Sequence, residues 1–202
     1  LLYARVGKTI SPISGKEVRK DEVSDVLQAV QALSDGDKIV FLVAFQQHAN
    51  REIREELNIL MQKGFSRMFL MQKGKPGKPV RIEELVEMTD AELAKEWKAH
   101  SANYYVLIDR FVVKTLEEED LHRLADSIGT AFFEGHGKMM LEINGEQIMH
   151  FSNQFEADGM VFEEPGPNLF SFNNPYGACP VCEGFGQVLG IDQDLVIPDK
   201  RF

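Results

Sequence analysis

Two cysteines, Cys179 and Cys182, stand close together in the stretch NNPYGACPVCEGFG (173–186). Thiolates at this spacing can share one metal ion, but structural zinc takes four ligands. A compact four-ligand site pairs one such knuckle with another roughly 12 to 20 residues away. The upstream window, EADGMVFEEPGPN, holds neither cysteine nor histidine; His150 is the nearest candidate, with Glu156 and Asp158 in between. The pair therefore reads as a glycine-rich turn rather than half of a filled site. A thioredoxin-like dithiol is the second reading, but it belongs at a helix N-terminus, and Gly184 and Gly186 follow too soon for a helix.

Other chemistry finds little footing. No Gly-x-x-x-x-Gly-Lys-Ser/Thr cradle is present, and GKPGKP (74–79) reads as a hairpin loop, so ATP hydrolysis is not expected of this chain. The histidines, His48, His100, His122, His136 and His150, are scattered without a nucleophile or a second metal ligand at useful spacing. The acidic run EEED (117–120) suits a helix N-terminus, where its charge meets the backbone dipole. Two arginines stand out. Arg67 lies between Phe65 and Phe69 on one face of a strand, and Arg110 alternates with Ile108 and Val112. An arginine among apolar strand neighbours either snorkels to water or anchors a partner's carboxylate. On spacing alone the snorkelling reading is the favoured one.

These side chains must be positioned by regular elements. DEVSDVLQAVQALS (21–34) sets Val23, Val26, Leu27, Val30 and Leu33 on one helical face. KIVFLVAF (38–45) reads as a buried strand, and a second helix capped by Asn50 runs through Ile53, Leu57 and Leu60 to Gly64. SRMFLMQ (66–72) and PVRIEE are strands joined by the turn KGKPGK, and Thr89 with Glu92 boxes the start of a helix over Leu93 and Trp97. NYYVLIDRFVVK (103–114) is a long strand. Thr115 with Glu118 opens a helix carrying Leu121, Leu124, Ala125, Ile128 and Phe132. MMLEINGEQIMHF (139–151) is a hairpin on Asn144-Gly145. The expected fold class is α+β: a mixed or antiparallel sheet with flanking helices over 22–150, followed by an irregular Gly/Pro-rich segment over 151–202.

Composition sets outer bounds. The chain has 202 residues, 44% hydrophobic and 27% charged, enough for one sizeable core. Its net charge of −10 repels nucleic acid on average, so a direct DNA-binding module would need a local basic patch. No secretory segment and no apolar run near 18 residues is present, which points to a soluble cytoplasmic protein with no membrane contact. LLYARVGKTI begins abruptly with apolar residues and without Met, as a piece of a longer chain would.

The order LLYARVG, DEVSDVLQAV, KIVFLVAF, GFSRMFLMQKG, VLIDRFVVK, LADSIGTAF and LFSFNNPYGACPVCEGFG resembles the UvrA family, the damage-sensing ATPases of bacterial nucleotide excision repair. Residues 83–102 match that pattern poorly. The resemblance implies that 1–21 flank ATP-binding domain I, 22–150 form the UvrB-binding domain, and 151–202 are a zinc-module region of ATP-binding domain I. It implies UvrB as partner, with Arg67 and Arg110 pairing with UvrB carboxylates and Arg81 and Asp109 contributing at the rim. ATP, zinc, damaged DNA, homodimer formation, excision-nuclease function and the SOS response belong by implication to the parent protein. This chain is expected to be non-enzymatic and free of cofactor. Where the family carries a first Cys-x-x-C, this sequence reads FEADGMVF, and SPISG (11–15) lacks the Cys and His often found there. The implied zinc module is then degenerate and metal-free, Cys179 and Cys182 are vestigial, and Phe155, Phe162, Phe170 and Phe172 are expected to hold the region by packing. A small zinc or dithiol protein and a direct DNA-binding module are the competing classes.

Overall fold

The computed structural model describes residues 2–72, 75–100, 103–114, 116–187 and 196. The chain divides into two compact units, Lys20–Gln154 and Leu1–Arg19 with Phe155–Phe202.

The smaller unit opens on one short helix, α1 (Leu2–Val6). The larger unit then runs α2 (Val23–Gln31), β1 (Lys38–Ala44), α3 (Ile53–Gln62), β2 (Arg67–Gln72) and β3 (Lys75–Arg81). It continues through α4 (Ile82–Glu87), α5 (Asp90–His100), β4 (Tyr104–Val112), α6 (Glu118–Glu134), β5 (Lys138–Ile143) and β6 (Gln147–Ser152). The chain returns to the smaller unit with a short hairpin, β7 (Glu156–Ala157) and β8 (Met160–Val161). The six strands of the larger unit form one sheet in the order β3-β2-β4-β1-β5-β6, with every pairing antiparallel. Its fold is α+β.

One core organises this unit. Val26 and Val30 from α2, Leu57 from α3, Ile82 and Leu85 from α4, Leu93 and Trp97 from α5, and Leu124, Ile128, Ala131 and Phe132 from α6 are all buried in it. From the sheet it takes Ile39, Phe41 and Val43 of β1 and Met139, Leu141 and Ile143 of β5. Alternate strand residues point to one face, so all five helices lie on the same side of the sheet. Trp97 stacks on Tyr104 with ring centroids 5.2 Å apart and meets Phe45 edge-on at 4.8 Å, which pins α5 to the end of β4.

Local signals explain most boundaries. Thr89 N–H donates to Glu92 Oε2 (3.1 Å) and Glu92 N–H to Thr89 Oγ1 (3.4 Å), the reciprocal cap expected for α5. Asn144 and Gly145 both take the left-handed conformation (φ 54° and 75°) that a two-residue hairpin turn requires. Gly64 closes α3 at φ 96°.

Other boundaries differ from the sequence reading. α3 is capped by Glu52 rather than Asn50, because the chain first makes a turn in which Arg51 N–H donates to His48 O (3.1 Å). α6 begins after Glu117, whose N–H donates to Asp120 Oδ2; Thr115 lies outside the described residues. The turn and strand expected over KGKPGK and PVRIEE become strand Lys75–Arg81 and helix Ile82–Glu87. Ile82 and Leu85, three apart, are both buried on one helical face, and Glu83 and Glu84 sit favourably in the first turn.

Candidate docking face and the cysteine knuckle

The second face of the sheet carries no helix of the larger unit. Leu42 and Met140 are buried there (0% and 6% exposed) yet stand outside the helix-side core. Cross-strand partners share a face, so the register extends it. Leu42 stands between Leu107 and Met140, and Val40 between Arg110 and Glu142. Ala44 pairs with Tyr105, Tyr105 with Phe69, and Phe69 with Pro79. One step along β2, Arg67 faces Arg81 directly.

Three arginines thus share the face, set among Phe69, Tyr105, Leu107 and Val40. Arg67 is half-buried, and Arg81 and Arg110 are exposed. Among the described residues none of the three is ion-paired. Other arginines of the same unit are: Arg51 with Glu56, Arg54 with Asp90, and Arg123 with Asp109. Guanidinium groups left without a carboxylate among their own chain's side chains are available to one from elsewhere.

Asp109 does not join them. Its carboxylate lies on the helix side, where Ser127 Oγ donates to Oδ2 (2.7 Å) and Arg123 Nη2 to both oxygens (3.3 Å). Arg123 also lies over the Phe111 ring, 5.6 Å from its centroid. Alternation along β4 already turns Asp109 away from the face of Arg110, and a bulge follows it: Phe41 pairs with Asp109 but Leu42 pairs with Leu107, leaving Ile108 over. Ile108 turns toward the helix-side core, so it does not share a face with Arg110 as strict alternation implies. Phe65, which precedes β2, likewise packs against that core instead of flanking Arg67.

No catalytic constellation emerges among the described residues. A cavity of about 220 Å³ is lined by His48, His136, Glu56, Lys63 and Glu134, but Glu56 is paired with Arg51 and Glu134 with Lys63 (2.8 Å).

In the smaller unit, Cys179 is exposed and Cys182 half-buried. Backbone N–H groups of Cys182 and Val181 face the Cys179 thiol and hold its pKa below the usual range. Glu183 N–H donates to Cys179 O (2.7 Å), and Glu183, Gly184 and Gly186 all have positive φ. This is a tight turn carrying two thiols. Among the described residues, no group of three or more His, Cys, Asp or Glu side chains comes together to hold a metal. The donor set does not fit a closed tetrahedral zinc site.

Comparison with known proteins matches residues 22–145 to the UvrA interaction domain. The chain belongs to the UvrA family. It is 35% identical over 204 residues to UvrABC system protein A of Staphylococcus epidermidis, covering 100% of this chain and 20% of that protein. The corresponding Bacillus subtilis protein is 34% identical over 206 residues, covering 99% of this chain and 19% of the relative. The Rickettsia conorii protein is 32% identical over 214 residues, with 100% and 21% covered. The chain therefore spans about a fifth of the length of these UvrA relatives. Both the arginine face and the helix-side core lie within the matched interaction domain, while the cysteine turn lies beyond it.

Proposed function

We propose that this UvrA chain serves nucleotide excision repair as a docking platform for UvrB, with the helix-free face of its sheet meeting acidic side chains of that partner. Arg67 and Arg110 supply the bidentate contacts, Arg81 lies beside them, and Phe69, Tyr105 and Leu107 give the apolar ground. Asp109, tied to Ser127 and Arg123, acts only by holding the strand that presents Arg110. ATP hydrolysis, damaged-DNA binding, dimerisation and zinc binding are assigned to parts of the parent protein outside this face.

The observation that carries the reading is selective: the arginines on the helix-free face are unpaired among the described residues while Arg51, Arg54 and Arg123 nearby are paired. Truncating one partner of a desolvated charge pair costs about 2 to 5 kcal/mol of binding. Titration calorimetry of the chain with purified UvrB should show losses of that order for Arg67→Ala and Arg110→Ala, with thermal melts unchanged. Unaltered affinity in both variants would defeat the assignment. Retardation of DNA by the wild-type chain, abolished by the same substitutions, would favour phosphate as the anion instead.

A further inference from the structure

The zinc that family resemblance implies for the smaller unit has no adequate ligand set among the described residues, yet two segments far apart in sequence meet there. The first is a hairpin loop. Ile10 bridges to Glu17, Val18 N–H donates to Thr9 O (2.8 Å), and Ser11 N–H donates to Lys16 O (2.9 Å). The loop tightens at Gly15, whose N–H donates to Ser11 O while its φ is +67°. The second segment is the β7–β8 hairpin, with Asp158 and Gly159 at the turn, both in the left-handed region (φ 52° and 77°). Strands of two residues do not stand alone in water. Something must tie them down.

We infer that a hydrogen-bonded clamp, Ser11–Asp158–Ser14, joins these two hairpins in the role that a shared metal ion would otherwise play. Both hydroxyls donate to the same carboxylate oxygen, Asp158 Oδ2, Ser14 at 2.5 Å. Ser11 is 1% exposed, and its oxygen also accepts the N–H groups of Ile13 (3.3 Å) and Ser14 (3.5 Å). Its proton is thereby left for Asp158. Ser14 Oγ accepts from Lys16 N–H (3.4 Å), which fixes that hydroxyl in the same sense. Hydrogen bonds to an ionised acceptor are about twice as strong as neutral ones. The three side chains are spent on one another, so they form a cross-link in themselves rather than a cradle for an ion.

Of the four phenylalanines expected to hold the region by packing, Phe155 and Phe162 are half-buried and the other two are exposed. Phe172 is 71% exposed and Phe170 44%, the latter stacked on Tyr3 at 6.3 Å. Phe155 and Phe162 contribute a backbone bond, Phe162 N–H to Phe155 O (2.8 Å), that closes the β7–β8 hairpin.

Amide hydrogen exchange on the full chain tests the clamp, with β1 and β4 as an internal reference. Asp158→Ala should speed exchange at Ser11, Gly15 and Val18 by at least about tenfold, the loss expected when charge-assisted bonds are removed. Ser14→Ala should produce a smaller change at the same amides, and both variants should leave β1 and β4 protected. Wild-type protection should survive a strong chelator, in protein whose zinc content is far below one per chain. Stoichiometric zinc whose removal collapses protection at these amides would overturn the inference. So would an Asp158→Ala variant that keeps them protected. If Asp158→Ala cannot be purified, the Ser14→Ala and chelator measurements decide by the same criteria.

Discussion

Glu142 and Asp158 are carboxylates pushed in opposite directions, and their effects on stability carry opposite signs. Glu142 is 4% exposed; burial raises its pKa, and the N–H that Gly145 donates to Oε1 offsets this only in part. A carboxyl with a raised folded pKa lends stability below the ordinary carboxyl range and loses it as pH rises through the folded value. Glu142→Gln keeps an acceptor for Gly145 and cannot ionise. Its melting temperature at pH 7 should therefore exceed wild type by a few degrees, a difference of the size about 1 kcal/mol produces, and the two curves should converge near pH 4. Equal melting temperatures at pH 7 would show that the ionised form is not penalised. Asp158 is held low by the hydroxyls of Ser11 and Ser14, so its contribution is present above the ordinary aspartate range and fades only as pH falls below it. No spacing rule points to Ser11, Ser14 or Asp158, because the clamp depends on contact between positions 147 and 144 residues apart.

Elements with local signals were legible: the hairpin at Asn144-Gly145, the reciprocal cap at Thr89, and the apolar stripe of α6. Two of the departures share one cause. Val80-Arg81-Ile82 alternates like a strand, but the burial of Ile82 with Leu85 in the core turns the chain into α4. Likewise Ile108-Arg110-Val112 looks like an unbroken alternation, and only the pairing with β1 reveals the bulge that sends Ile108 to the helix side. Tertiary pairing overrode a pattern that looked complete. Apolar neighbours point to both arginines, although Phe65 and Ile108 belong to the helix side; that neither arginine is ion-paired among the described residues depends on which carboxylates share their face, which spacing does not specify. Deleting Ile108 removes the residue left over at the bulge, so Phe41–Asp109 and Leu42–Leu107 continue as one regular ladder and Arg110 keeps its face. What the deletion loses is a side chain packed against the helix-side core. The variant should keep UvrB binding near wild-type strength with a lowered thermal transition. Loss of binding in a folded variant would mean that the bulge itself sets the presentation of Arg110.

At the scale of the molecule, a chain of net charge −10 places on one face of one sheet three arginines that are unpaired among the described residues. On the proposed docking, an acidic partner approaching elsewhere would meet repulsion, and the basic patch would supply orientation as well as affinity. Screening reaches about 10 Å at 0.1 M salt. Affinity for UvrB should consequently fall as salt rises from about 0.05 to 0.5 M, and the Arg67→Ala/Arg110→Ala double variant should show a much flatter dependence in the same titrations. An identical slope for both would place the electrostatic contact on another surface.

The outermost strand on the arginine side, β3, contains Pro76 and Pro79. A residue with no N–H cannot donate to a neighbouring ladder, so this border is poorly suited to recruiting another strand. A partner docking as proposed would be turned from that flank onto the broad side of the sheet, where recognition would be written in side chains and single substitutions would rewrite it.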